Sequence, residues 1–222
     1  MIFDPIRKLY LDEHLSRLDW LDHGFGTREA GGWVAGQDHA SLDQIHSDIV
    51  VKAEGPRGRL GEGDGLITGV AGLMLGVRTA DCVPILLADA RRRAVAAVHA
   101  GWRGTLSRIA ARAIEAMTRE YGSQPEDLIA AIGPCIGRCC YEVGPDVARA
   151  FGALFPELPA PGGPAHLDLE EANRRILVAA GVPATRIHAG GLCTRCRAGD
   201  FHSYRRDGLL AGRLLAAIGL KG

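Results

Sequence analysis

Three side chains spread through the first half of the sequence have the types needed for metal or nucleophile chemistry. His46 ends the segment Gln44-Ile45-His46, Cys82 ends Thr79-Ala80-Asp81-Cys82, and His99 opens His99-Ala100-Gly101-Trp102-Arg103-Gly104. Two imidazoles and a thiolate are good donors to zinc or copper, and three protein donors leave a fourth position open for water or substrate. The same trio permits a metal-free alternative, with Cys82 as nucleophile and His99 as its base. Their separations match no compact zinc-finger spacing, and isolated histidines and buried cysteines usually belong to a core. Both chemistries stay open on residue type alone.

The flanking residues add possible partners. Asp81 could orient a ligating histidine or accept a substrate proton, although an aspartate in a turn ordinarily caps its own backbone. Arg103 precedes a helix expected to start at Thr105, so guanidinium and free helical amides together suit phosphate. Arg28 and the Tyr204-Arg205-Arg206 stretch compete for that role. Among the later cysteines, Cys135, Cys139, Cys140, Cys193 and Cys196 could supply a structural zinc, while free thiols are the ordinary reading. No zinc-deaminase signature of the His-x-Glu and Pro-Cys-x-x-Cys type occurs. The run Arg91-Arg92-Arg93 reads as a solvated turn.

The elements that must position these groups come from a chain of 222 residues with no composition break, which suggests one domain over 1–222. Charges balance at 26 basic and 26 acidic residues, which gives no electrostatic reason to expect nucleic acid or an anionic membrane as partner. No apolar stretch reaches the ~20 residues of a membrane span, and the N-terminus carries early charge without a signal-peptide core. A cytoplasmic setting, with cysteines reduced or ligating, is therefore expected. The 30 glycines exceed the average share of ~7% and suggest tight turns and close approaches.

Residues 1 to about 40 look irregular, with glycines in 23–28 and at Gly31 and Gly32. A short strand follows His46 at 49–51, and 61–65 reads as a loop without a dinucleotide or phosphate-loop fingerprint. Three neighbouring strands are expected over 73–77, 83–87 and 94–98, the last two joined as a hairpin through 89–93. An amphipathic helix should follow, capped by Thr105 and ended by Gly122. A strand over 128–132, a helix from 145 to about 155, a loop over 156–164 and a helix capped by Asp168 and stopped at Gly181 complete the list. The segment 209–220 fits helix or strand by period alone. Mixed elements with hairpins indicate an α/β protein of α+β type, a layered sandwich around a mixed sheet.

With the segments in order, the chain resembles the YfiH/laccase-domain family, once described as multicopper polyphenol oxidoreductases and now regarded as purine nucleoside phosphorylases. The resemblance runs over nearly the whole length. Its motifs are Gln44-Ile45-His46, Thr79-Ala80-Asp81-Cys82-Val83-Pro84, the segment 99–104, Gly133-Pro134-Cys135-Ile136, Tyr141-Glu142-Val143-Gly144, Cys193-Thr194 and Ser203-Tyr204-Arg205-Arg206-Asp207-Gly208. It implies a YfiH-like fold and a metal, zinc or else copper, on His46, Cys82 and His99. It also implies phosphorolysis of adenosine, inosine and methylthioadenosine to the free base and ribose 1-phosphate or methylthioribose 1-phosphate, with adenosine deamination as a second reaction.

The candidate catalytic set is therefore His46, Cys82, His99 and Asp81, and the candidate substrate contacts are Gln44, Arg103, Arg28 and Arg205. Purine nucleosides and phosphate are the expected partners of a monomer or homodimer. The sequence departs from the family at His46-Ser47, where His-Gly is usual, and at Phe201-His202, where two phenylalanines are usual. Those departures bear on substrate preference more than on fold. Three rivals remain: a metal-free Cys–His hydrolase, a copper-dependent phenol oxidase and a non-enzymatic zinc-stabilised binding module. A mononuclear site suits the oxidase poorly, because reducing oxygen to water takes four electrons.

Overall fold

The apolar runs at 83–87 and 94–98 become the central strands of a sheet buried on both faces. In this computed structural model, which describes residues 1–30, 33, 39–55, 58–152, 154–156 and 165–222, strand Val83–Asp89 pairs antiparallel with Ala94–Ala100. The turn between them closes as expected. Asp89 Oδ1 accepts the amides of Arg91 and Arg92 at 2.8 and 3.0 Å, and Arg93 adopts φ 51°. Val83, Ile85, Leu87, Ala94, Ala96 and Val98 pack toward helices, while Leu86, Ala88, Val95 and Ala97 pack toward a second sheet. Burial on both faces removes the polar alternation of a half-exposed strand and requires the continuous apolar runs seen here.

Among the described residues this sheet has six strands, ordered Ile187–Ala189, Leu128–Ile132, Val83–Asp89, Ala94–Ala100, Gly65–Thr68 and Val50–Lys52. The facing sheet has seven, ordered Ile2–Asp4, Leu9–Leu11, Leu21–Gly26, Leu214–Leu220, Met74–Thr79, His39–Asp43 and Gly58–Glu62. Both mix parallel and antiparallel pairs. The result is a layered mixed α/β fold, sheet on sheet on helices.

Three strand expectations are corrected, and one open segment is settled. The strand near 73–77 does not neighbour 83–87 within one sheet; Met74–Thr79 lies in the facing sheet, between Leu214–Leu220 and His39–Asp43. The first 30 residues are not irregular but supply three strands. Their glycines serve close packing: a Cβ on Gly24 would lie 3.0 Å from Leu9 Cδ1 and 3.2 Å from the Trp33 ring. Part of the expected loop 61–65 is strand, since Gly58–Glu62 and Gly65–Thr68 leave only two residues between them. The ambiguous C-terminal segment resolves as a short 3₁₀ turn followed by strand Leu214–Leu220. The expected loop 156–164 and the pair Gly31-Gly32 lie, Pro156 apart, outside the described residues.

Helix α1 (Trp102–Leu106) starts one turn earlier than expected, with Gly101 rather than Thr105 at its N-cap. Arg108, at φ 60°, breaks the helix before α2 (Ile109–Tyr121). Thr105 is buried, and its hydroxyl accepts from Asn173 Nδ2 at 3.0 Å. The apolar face of α2 buries Ile109, Ala110, Ala113, Ile114 and Met117, and Gly122 ends it in the left-handed region. Helix α3 (Pro145–Ala150) is shorter than expected. Helix α4 (Leu169–Ala179) begins as anticipated, with Asp168 Oδ1 accepting the Glu171 amide at 2.9 Å.

Candidate metal and catalytic site

Strand register decides which loops meet. Opposite Pro84 stands His99, and opposite Val98 stands Gly65. Cys82, just before Val83, and Asp64, just before Gly65, therefore lie beside His99 at one end of the six-stranded sheet. Val50 pairs with Gly65 in parallel, which brings the 45–49 loop to the same end. Ile132 pairs with Ile85 antiparallel, so the loop after 132 arrives there too.

The donor atoms of His46, Cys82 and His99 all lie within 4.8 Å of one another. The two imidazole rings meet edge to face at 4.9 Å, inclined by 78°. His99 is buried, while His46 is exposed at the rim. Gly101 lets the backbone pass close by: a Cβ there would stand 2.9 Å from His46 Cδ2 and 3.1 Å from Cys82 Sγ.

Behind this trio sits Asp64, a residue of the glycine-rich segment 61–65 that no sequence motif marks. Its carboxylate is fully buried and lies 2.7 Å from His99 Nδ1. It also accepts the amides of His46 at 3.1 Å and Ser47 at 2.6 Å, and the Ser47 hydroxyl at 2.7 Å. His46 adopts φ 61°, a left-handed conformation uncommon for histidine, and the carboxylate holds it there. A carboxylate on the far nitrogen of a ligating histidine fixes the tautomer and strengthens the donor. The donor set and this support both suit a metal ion.

Charges within the trio reinforce one another. Burial would raise the Cys82 thiol, but hydrogen bonds from His46 and His99 hold it down to about 7. Burial would lower His99, but Asp64 and Cys82 raise it to about 9. Asp64 is held down to about 2 by His99 and Ser47 in spite of desolvation. Without a metal, the arrangement thus favours a carboxylate, an imidazolium and a thiolate side by side.

Asp81 is near but differently engaged. Its carboxylate accepts the Thr194 hydroxyl and the Arg205 amide, both at 2.6 Å, and φ 88° marks a left-handed backbone. The carboxylate that orients a histidine is Asp64. Tyr141, which opens the Tyr141-Glu142-Val143-Gly144 motif, lies in electrostatic reach of Cys82, Asp81, Arg205 and Arg103, and burial pushes its phenol up to about 12. Arg205 stacks over the Tyr141 ring at 5.2 Å and donates to the Glu142 carbonyl at 2.7 Å. Arg103 stands in the first turn of α1 with its guanidinium 4.3 Å over Trp102.

The other two candidates sit apart from this group. Gln44 brackets the Arg78 backbone, donating to its carbonyl at 2.8 Å and accepting from its amide at 2.7 Å, and so anchors the strand leading into His46. Arg28 donates to the Ala198 carbonyl at 2.9 Å and lies in reach of His202 and Asp207. Cys135 is buried and, among the described residues, outside any donor cluster, whereas Cys139, Cys140, Cys193 and Cys196 gather together.

Two facing mixed sheets carrying a His–Cys–His cluster at one strand end define a layered α/β protein with a single-ion type of donor set. The chain belongs to the family described as multi-copper polyphenol oxidoreductase laccase, whose model matches residues 28–221. It is similar to a purine nucleoside phosphorylase of Deinococcus radiodurans, with 44% identity over 188 residues, 84% of this chain and 72% of that protein. It is 46% identical over 162 residues to adenosine deaminase RL5 of an unknown prokaryotic organism, covering 70% of this chain and 61% of that protein. The hypothetical protein YfiH of Bacillus licheniformis superposes with a TM-score of 0.88 at 32% identity, covering 97% of both chains. Among the described residues no helix is long and apolar enough to cross a membrane.

Proposed function

We propose that the protein is a metal-assisted purine nucleoside phosphorylase acting on adenosine, inosine and methylthioadenosine, with adenosine deamination as a second reaction. The observation that carries this reading is the convergence of His46, Cys82 and His99 on one point, with Asp64 holding His99 from behind. Its similarity to a purine nucleoside phosphorylase and to an adenosine deaminase supports it. Zinc is the ion that this donor set suits best, with copper the alternative; bound there, it would supply Lewis-acid polarisation beside the substrate.

The chain's own groups have separable tasks. Asp64 fixes the His99 tautomer and the His46 backbone. Phosphorolysis passes through an oxocarbenium-like state, which a nearby anion stabilises while the departing purine gains a proton. Tyr141 stays protonated at neutral pH and lies in electrostatic reach of Cys82, so it can donate to the purine or the ribose. Arg103 and Arg205, both in reach of that phenol, are the proposed phosphate contacts. Because α1 has only five residues, the anion depends on these guanidinium groups more than on helical amides. Asp81, tied to Thr194 and Arg205, positions the second arginine.

A second reading draws on one observation: Asp64, His99 and Cys82 have the order orienter, base and nucleophile. A metal-free hydrolase built on them would survive chelation and die on thiol alkylation. Incubating the purified protein with adenosine, with and without phosphate, separates the classes. Adenine and ribose 1-phosphate formed only with phosphate support phosphorolysis, and inosine supports deamination. Neither product from a metal-replete sample rejects the proposal.

A further inference from the structure

A second donor cluster lies outside the site just described. Cys139 and Cys140 belong to the loop after strand Leu128–Ile132, and Cys193 and Cys196 to the loop after Ile187–Ala189. All four sulfurs lie within 4.8 Å of one another. The Cys140–Cys196 and Cys139–Cys196 sulfur pairs are separated by 3.4 and 3.6 Å. A disulfide requires about 2.05 Å. Four thiolates around one zinc at about 2.3 Å define a tetrahedron whose edges are roughly 3.8 Å, which matches the observed spacing. Thiolates that each hold a different iron of a cubane cluster would stand farther apart than sulfurs sharing one ion.

We propose that Cys139, Cys140, Cys193 and Cys196 form a tetrathiolate site for one structural divalent ion of the zinc type, independent of His46, Cys82 and His99. The surrounding loops are shaped for it. The Gly137 amide donates to Cys193 Sγ at 3.3 Å, and a Cβ on Gly137 would crowd Cys139 Sγ and Cys193 Cβ, each at 3.3 Å. Arg195 lies in electrostatic reach of Cys140, Cys193 and Cys196 and brings positive charge to a cluster whose bound form would carry net negative charge. Cys193 and Cys196 have the two-residue spacing common in structural zinc sites, and the vicinal pair supplies the other two ligands.

The ion joins two loops that carry candidate site residues. Tyr141 follows Cys140 directly, and Thr194, which donates to Asp81, follows Cys193. A lone β-bridge between Cys135 and Cys193 marks where the loops meet. A bound ion would fix that wall in place and hold Tyr141 and Asp81 at their separation.

The test uses full-length Cys82→Ala protein, which removes a donor from the other site while leaving this one intact. The sample is reduced, stripped by chelation, and titrated with Co2+ alone and with Zn2+ alone. The expected result is one tightly held ion per chain, with the sulfur-to-cobalt absorption of four thiolates and protection of those thiols from alkylation. The same titration of Cys82→Ala/Cys196→Ser should lose most of that absorption. Folded Cys82→Ala protein that binds no cobalt through sulfur overturns the proposal, as does purified protein carrying iron and sulfide there. A fold lost in the double variant leaves the first titration to decide.

Discussion

Asp64 Oδ1 stands 2.7 Å from His99 Nδ1 while the same carboxylate receives the His46 and Ser47 amides, so one buried side chain sets both histidines. Asp64→Asn preserves shape but loses the charge that supports the imidazole. Metal affinity at His46, Cys82 and His99 should fall about 10- to 100-fold. Competition against a chromophoric chelator, in protein that melts as wild type, measures this; unchanged affinity would remove Asp64 from the site.

Gly101→Ala is expected to damage the site and spare the fold. The added methyl would press on His46 and Cys82, whereas the Gly101 backbone, at φ −71°, accepts any residue. A displacement near 1 Å at reacting groups costs roughly 100-fold in rate. Activity and thermal melting should therefore separate. Wild-type turnover in this variant would show that the close approach has no functional role.

Arg103→Ala tests phosphate binding. Loss of a charge-assisted hydrogen bond to an anion costs about 1.5–3 kcal/mol, or about 10- to 150-fold. The phosphate concentration needed for half-maximal phosphorolysis should rise by that factor, while adenosine deamination, which needs only water, falls much less. Equal loss of both reactions would point to a general role in the site. Arg205→Ala is then the next variant.

The metal-free protein should show a compensated pH dependence. His99 is raised from 6.5 to about 9, so its contribution to stability is complete below 6.5 and disappears as pH rises through about 9. Cys82 is lowered from 9.0 to about 7, so its contribution is complete above 9 and disappears as pH falls through about 7. Between pH 7 and 9 the folded state keeps one proton on His99 and releases one from Cys82, and the two slopes cancel. Denaturant midpoints of stripped wild type should stay flat there, whereas Cys82→Ala should weaken as pH rises. A flat profile in both proteins counts against the ion pair.

Ile109→Ala and Ile114→Ala each remove a buried side chain from the face of α2 that covers the central sheet. The expected cost is about 2–5 kcal/mol apiece. Chemical denaturation reads it directly, and a cost below 1 kcal/mol would mean the cavity collapses without penalty.

Much of the central sheet could be read from residue types, because doubly buried strands leave unbroken apolar runs at 83–87 and 94–98. The three donors were also visible as types. Their meeting was not, since it depends on Val98 lying opposite Gly65, and no local pattern encodes that register. Asp64 illustrates the cost. An acid between two glycines resembles any loop residue until strand Gly65–Thr68 is placed beside His99. The break at Arg108 was equally hidden: neither proline nor glycine marks it, and α1 and α2 together keep a helical apolar spacing. The cysteines of the second cluster were legible individually, yet only the pairing of Leu128–Ile132 with Ile187–Ala189 brings their two loops together, and Cys135, buried in the first of those loops, stays outside the group of four.

Strand Leu214–Leu220 lies between Leu21–Gly26 and Met74–Thr79, two strands made far earlier in synthesis. Until residues 214–220 leave the ribosome, the seven-stranded sheet exists as two fragments with open inner edges, each able to recruit a foreign strand. Closure over so long a loop makes for slow folding. Nascent chains stalled before residue 214 should therefore be the species most dependent on chaperones, although they already contain all three candidate donors.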